Sequence, residues 1–176
     1  ILPDFECIPQ SVFNISDVEE TGKDFEENAI LKAKNAFTKT NISSVGDDSG
    51  LIVPAINNEP GLYSARYAGL NATDSDNRNK LISKLKDKKL ESTYAYFFCC
   101  IVAVGIKGQN EIIVCDGKVE GEVRTIERGE KGFGYDPMFY PKGYSESFAE
   151  LNSLEKNKIS HRGQALKKLM DKLNKT

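Results

Sequence analysis

The chain has 176 residues, 39% of them hydrophobic and 28% charged. That is enough for one folded domain with a sizeable core, and too apolar for a disordered chain. A net charge of −2 gives no basic surface of the kind that binds nucleic acid, although a local cluster of Lys and Arg would still take a nucleotide.

Four cysteines, Cys7, Cys99, Cys100 and Cys115, form no C-x-x-C or Cys/His pattern. They read as buried or strand thiols in a reducing compartment, not as zinc ligands. The longest apolar run, residues 94–106, is too short to span a bilayer and rich in strand formers. No signal peptide is visible, so the expectation is a soluble, cytoplasmic protein with no membrane partner.

In chain order, residues 1–18 carry Pro3 and Pro9 and read as a short strand plus loop. Glu19-Glu20-Thr21-Gly22 is an acidic turn. Asp24 is placed to cap a helix, with Glu27 as its capping-box partner. Phe25, Ala29, Ile30, Ala33, Ala36 and Phe37 then share one arc, predicting an amphipathic helix over residues 25–38. Asn28 and Lys32 lie one turn apart on the edge of that stripe, where side chains snorkel or face a cleft.

Residues 42–45 are strand-prone and end in Asp47-Asp48-Ser49-Gly50-Leu51. Two adjacent carboxylates repel and point to opposite faces of a strand. A compensating cation, or a proton to be moved, would rationalise them at a strand end; by themselves they read first as a polar turn. Residues 51–56 read as a strand interrupted by Pro54, followed by a turn over residues 57–61. Thr73 or Asp74 caps a helix running to Lys88 and buried through Leu81, Ile82 and Leu85.

Residues 94–106 and 111–115 are expected to pair as strands through a turn at residues 107–110, the first of them central in the sheet. Residues 117–126 alternate and should be half-buried. Residues 129–137 form a glycine-rich loop that matches neither G-x-G-x-x-G nor a phosphate loop. Glycines frame Phe133 and Tyr135, so the backbone can approach a flat ligand while an aromatic ring stacks on it. A short helix over residues 153–157 and a last one from about Ser160, burying Ala165, Leu166, Leus 169 and 173 and Met170, complete the chain. With Ser160 as N-cap, His161 and Arg162 occupy a first turn where the helix dipole disfavours cations, a local conflict typical of functional sites. The elements alternate without a strict βαβ rhythm, so one mixed α/β domain over residues 1–176 is expected.

Taken together, these segments resemble the non-canonical purine nucleoside triphosphate pyrophosphatases, the inosine/xanthosine triphosphate pyrophosphatases. The matching runs are Glu19-Glu20-Thr21-Gly22, Phe25-Glu26-Glu27-Asn28-Ala29-Ile30-Leu31-Lys32-Ala33, Asp47-Asp48-Ser49-Gly50-Leu51 and Pro60-Gly61-Leu62-Tyr63-Ser64-Ala65-Arg66-Tyr67-Ala68-Gly69. Gly132-Phe133-Gly134-Tyr135-Asp136-Pro137 and Glu155-Lys156-Asn157-Lys158-Ile159-Ser160-His161-Arg162-Gly163 follow in the same order. The family's opening strand and Thr/Ser-x-Asn-x-x-Lys triphosphate loop have no counterpart, so the sequence is expected to be N-terminally incomplete.

The resemblance implies an α/β domain whose central mixed sheet is flanked by helices, with two lobes around a nucleotide cleft. It implies Mg²⁺-dependent hydrolysis of ITP, dITP and XTP to monophosphate and pyrophosphate, in a homodimer. Asp48 would be general base and metal ligand, and Glu19 a second metal-binding acid with Glu20 as the fallback. Lys32 and Ser49 would contact phosphate, with Arg66 a weaker candidate. Phe133 would stack on the purine, Gly134, Tyr135 and Asp136 would shape its pocket, and Lys156, His161 and Arg162 would contact the base edge. The competing readings are a non-catalytic purine-nucleotide binder and a house-cleaning pyrophosphatase for other modified nucleotides.

Overall fold

The computed structural model describes residues 5–106 and 111–174. The fold is α/β, with helices flanking a five-stranded sheet of order β2-β1-β3-β4-β5. In chain order the elements are α1 (Phe25–Thr40), β1 (Ser44–Val53), β2 (Glu59–Pro60), α2 (Asp74–Asp87), β3 (Ser92–Val104), β4 (Ile112–Arg124), β5 (Phe139–Pro141), α3 (Ser153–Ile159) and α4 (His161–Asn174). The β1–β2 ladder is antiparallel, with Ile52 opposite Pro60. So is β4–β5, with Gly121 opposite Pro141 and Val123 opposite Phe139.

The helices start where their capping residues stand. Asp24 accepts from the Glu27 amide at 2.8 Å, while the Glu27 carboxylate reaches the Lys23 amide, one residue beyond the N-cap. Thr73 rather than Asp74 caps α2, in a reciprocal box with Asp76, which satisfies amides that the first turn leaves without helical partners.

Several expectations change. No strand occurs among described residues 5–18; Gln10–Phe13 is a short 3-10 helix. The two strands expected on either side of the acidic pair are one, β1, with Asp47 and Asp48 in its middle. Pro54 ends it, because proline has no amide hydrogen for a ladder, and opens a 3-10 turn instead. Likewise β4 runs unbroken through Asp116 and Gly117. The short strands β2 and β5 fall in segments too brief to show a period. The turn expected at residues 107–110 lies outside the described residues. As expected, β3 is third of the five strands, and Cys99 through Val104 are all buried.

The chain divides into two compact units. The first holds the chain up to Asp48, Cys99–Gly117 and the segment from His161 on; the second holds Ser49–Phe98 and Lys118–Ser160. Each has its own core. In the first, alternate residues Cys99, Ile101 and Ala103 of β3 and Ile113 and Cys115 of β4 pack on Ala165 and Leu169 of α4. Leu166 and Leu173 close its margin, and Met170 is only half-buried. In the second, Leu81 and Leu85 of α2 join a group containing Phe97, Phe139 and Phe148. The Phe97 and Phe139 rings meet edge-on with centroids 4.8 Å apart, a preferred arrangement of their quadrupoles.

Two glycines set helix positions in the first unit. A Cβ on Gly46 would stand 2.6 Å from both Ala29 O and Ala33 N, so only glycine lets α1 lie so close to β1. A Cβ on Gly117 would collide with the His161 carbonyl, so the first turn of α4 rests directly on β4. Cys99, Cys100 and Cys115 are buried thiols and Cys7 is exposed. Among the described residues, no helix is long and apolar enough to cross a membrane.

Candidate active site

The close packing of α1 on β1 decides what surrounds the acidic pair. Asn28 and Lys32, four residues apart, share one face of α1. Asn28 is buried: its amide nitrogen donates to Asp48 Oδ2 at 3.2 Å and its Oδ1 accepts from the Gly22 amide at 2.8 Å. Lys32 Nζ donates to Asp48 Oδ1 at 2.7 Å, to the Asp47 carbonyl at 3.0 Å, and meets Glu20 Oε1 at 2.6 Å. An ammonium has three donor hydrogens, and these three oxygens account for them.

Asp48 is only 7% exposed. Burial pushes its carboxyl above the ordinary value; the Lys32 ammonium and Asn28 amide oppose this, and the Glu20 carboxylate adds to it. For Lys32 burial works against the charged form, but its contacts with Asp48 and Glu20 outweigh this and hold it cationic. Asp48 is therefore a hydrogen-bonded carboxylate with enhanced affinity for a proton, the character a general base needs.

Asp47 points to the other face and pairs with a residue far along the chain. Arg162 donates to its Oδ2 from Nε at 2.9 Å and from Nη2 at 2.7 Å. Buried His161 sits beside it at the head of α4. The two adjacent aspartates thus face different cations. Glu19, in contrast, is exposed, and its carbonyl closes the local turn by accepting from the Thr21 amide. It is Glu20 that reaches Lys32, beside Asp48.

A cavity of about 830 Å³ in this unit is lined by Glu20, Lys32 and Asp47 together with Phe13, Val45 and Leu169. Among the described residues, no group of three or more His, Cys, Asp or Glu is poised to hold a metal. Asp48 and Glu20, converging on one ammonium, still fit Mg²⁺, which takes one or two carboxylates and completes its shell with phosphate oxygens and water.

In the second unit, the glycine loop presents Phe133 with 59% of its surface exposed. Asp136, buried, accepts from the Phe133 amide at 2.8 Å and from Lys156 Nζ at 2.5 Å. That ammonium lies 4.9 Å from the centroid of the Phe133 ring and 5.4 Å from that of Phe148, a cation–π arrangement with the charge also paired. Tyr135 is no stacking surface. Its ring is part of the core and its hydroxyl donates to the Ser64 carbonyl at 2.9 Å, so it anchors the loop. Gly134 has φ of +60°. Ser49 follows Asp48 on β1 and is half-buried, and Arg66 stacks over Tyr63.

The sequence reading missed Asn28 as a partner of Asp48, although its spacing from Lys32 carried the signal. It also missed Arg78, whose Nη1 donates to the Gly134 carbonyl at 2.9 Å. Helical spacing places Arg78 one turn from Asp74, but no local pattern says which loop lies opposite.

The sequence pattern of the Ham1 family matches residues 2–172. The dITP/XTP pyrophosphatase of Idiomarina loihiensis is 47% identical over 95% of this chain and 83% of its own length. That of Legionella pneumophila strain Paris is 48% identical over 93% of this chain and 84% of its own length. Among solved structures, a HAM1 protein from Coxiella burnetii superposes with a TM-score of 0.88 at 43% identity, covering 96% of this chain and 86% of that one. The Staphylococcus aureus Ham1 protein gives 0.86 at 43% identity, covering 98% and 88%. By sequence along nearly its whole length and by fold, the chain belongs to the Ham1 family.

Proposed function

We infer that the protein is a nucleoside triphosphate pyrophosphohydrolase that removes non-canonical purine nucleotides, ITP, dITP and XTP, from the nucleotide pool as monophosphate and pyrophosphate. The observation that carries this reading is the buried Asp48 carboxylate, held by Lys32 and Asn28 with Glu20 alongside. The Idiomarina and Legionella relatives, which are dITP/XTP pyrophosphatases, support it.

In this reading Asp48 orients the attacking water and takes its proton. The water oxygen bonds to phosphorus at the α–β anhydride, the bridging P–O bond breaks, and its electron pair leaves on pyrophosphate. Lys32 moves part of its charge from the carboxylates to the incoming phosphate oxygens, and Ser49 is a further phosphate donor. Mg²⁺, held by Asp48 with Glu20 or Glu19, would neutralise charge developing on the phosphates. In the second unit Phe133 is the surface for the purine ring. Lys156, fixed by Asp136, supplies a donor suited to a 6-keto oxygen; a 6-amino group would leave it badly paired, which is the strong form of discrimination. His161 and Arg162 are further donor candidates by resemblance. Cytoplasmic residence and a homodimeric state accompany the reading, the latter testable by analytical ultracentrifugation.

The test is incubation of the full-length protein with ITP, XTP, ATP and GTP, with and without Mg²⁺, followed by phosphorus NMR. Inosine or xanthosine monophosphate with pyrophosphate, formed only when Mg²⁺ is present, is the expected result. Orthophosphate release would make it a different phosphohydrolase. ITP binding in calorimetry without turnover would make it a nucleotide binder.

A further inference from the structure

Phe133 is an exposed ring on a loop containing three glycines over residues 129–134. A loose loop would have to be ordered each time a base stacked on it, at the expense of affinity. The second unit contains a device that removes that looseness, and it comes from α2. Asp74 and Arg78 are four residues apart in its first turns and therefore share a face. Asp74 Oδ2 accepts from the Gly134 amide at 2.6 Å, and Arg78 Nη1 donates to the Gly134 carbonyl at 2.9 Å. One acid and one base thus hold both backbone polar groups of the residue next to Phe133. Arg78 also has a charge partner: its Nε stands 3.0 Å from Glu127 Oε1 as an ion pair without hydrogen-bond geometry, and its side chain is largely buried.

The remaining contacts complete the clamp. Asp136 receives the Phe133 amide, and Tyr135 is tied into the core through Ser64. Backbone groups on both sides of the Phe133 ring are fixed by side chains, while the ring itself stays open to solvent. Such an arrangement is a preorganised stacking platform.

We propose that Asp74 and Arg78 are positioning residues that hold the Phe133 platform in its base-stacking pose, with Glu127 as the ion-pair partner of Arg78. This rests on the reading of Phe133 as the purine-stacking surface. The two residues touch no substrate. They act on affinity through the loop, so their loss should raise KM for ITP far more than it lowers kcat.

The chain contains no tryptophan, so Phe133→Trp places a unique fluorophore on the platform. In that background, Asp74→Ala and Arg78→Ala should each increase acrylamide quenching of the tryptophan and lower its anisotropy in the absence of nucleotide. Asp74→Asn, which keeps an acceptor for the Gly134 amide, and Arg78→Lys, which keeps a donor, should restore much of the signal even if an alanine variant folds poorly. In the otherwise native enzyme, the alanine changes should raise KM for ITP by about tenfold, the order expected for losing a charge-assisted hydrogen bond. Unchanged quenching and anisotropy in both alanine variants would overturn the clamp while leaving the stacking reading intact. A Phe133→Ala enzyme with unchanged KM would overturn the stacking role, even where the quenching data show the clamp.

Discussion

Lys32 and Asp48 form a close ion pair in the first unit: an ammonium 2.7 Å from a carboxylate oxygen, on side chains 29% and 8% exposed. The same ammonium also meets Glu20 at 2.6 Å. Removing it leaves two acids in a partly buried setting with no cation. Breaking a buried pair from one side costs several kcal/mol, and the residual exposure of Lys32 reduces this. Lys32→Met should therefore destabilise the protein by about 1–3 kcal/mol in urea unfolding, and Lys32→Met combined with Asp48→Asn should recover part of the loss. An unchanged urea midpoint in the single variant would show that the pair contributes nothing to stability.

Asp48→Asn separates chemistry from folding. The amide keeps one acceptor oxygen, enough for Lys32, replaces the oxygen that accepts from Asn28 with a donor group, and cannot take a proton. Turnover of ITP should fall by about a hundredfold or more, the usual scale of a lost general base, while the far-ultraviolet circular dichroism stays the same. Retained turnover would take Asp48 out of the mechanism.

Phe133 is exposed enough that truncating it leaves no cavity. Phe133→Ala should leave stability within about 0.5 kcal/mol, as for surface changes generally. It should weaken ITP binding by about 1–3 kcal/mol, the range for one base on one aromatic ring. Calorimetric titration of the two proteins measures this, and equal dissociation constants would contradict the stacking role.

Lys156 and Asp136 are more buried than Lys32 and Asp48, with side chains 15% and 4% exposed. Lys156→Met removes the cation that pairs with the buried Asp136 carboxyl, with the Phe133 amide still donating to it. The expected loss is about 2–4 kcal/mol of stability. Adding Asp136→Asn should recover much of it, because the buried acid that lost its cation partner is gone as well. A double-mutant cycle of unfolding free energies gives the coupling, and strictly additive losses would argue against a direct interaction.

Glu59 provides a pH test in the second unit, clear of the proposed metal ligands. The Tyr67 hydroxyl donates to it at 2.5 Å, and chiefly this bond, helped by Lys84, lowers its carboxyl below the ordinary 4.5. The folded state therefore favours the ionised form. Its contribution is complete above the ordinary value and disappears as pH falls through the lower folded value. The difference in urea midpoint between the native protein and Glu59→Gln should be constant above that value and shift against the native protein below it. A difference that holds steady down to about pH 3 would refute the assignment.

Local sequence carries α1 and α2 well, because caps and a periodic apolar face are properties of a few neighbouring residues. Asp24 and Thr73 begin their helices, and Ala29, Ala33, Leu81 and Leu85 are buried as the stripes require. The strands are less legible. Asp47 and Asp48 look like a strand end because charge is costly inside a sheet, yet β1 continues through them. What lowers that cost, Lys32 on one face and Arg162 on the other, is invisible in the local pattern.

Sequence by itself therefore determined the fold class, through the alternation of its elements, and the capped helices and the glycine-framed aromatic, each encoded within a turn or two of chain. Only tertiary structure decided the partners. Asp47 takes Arg162 from 115 residues away and Asp48 takes Lys32 from 16. Glu20 rather than Glu19 reaches Lys32, Tyr135 turns into the core, and Asp74 and Arg78 grip Gly134. The physical reason is that long-range pairing depends on how closely backbones approach. At Gly46 and Gly117 a missing Cβ sets that distance, and a one-dimensional pattern does not record which surface will come to rest there.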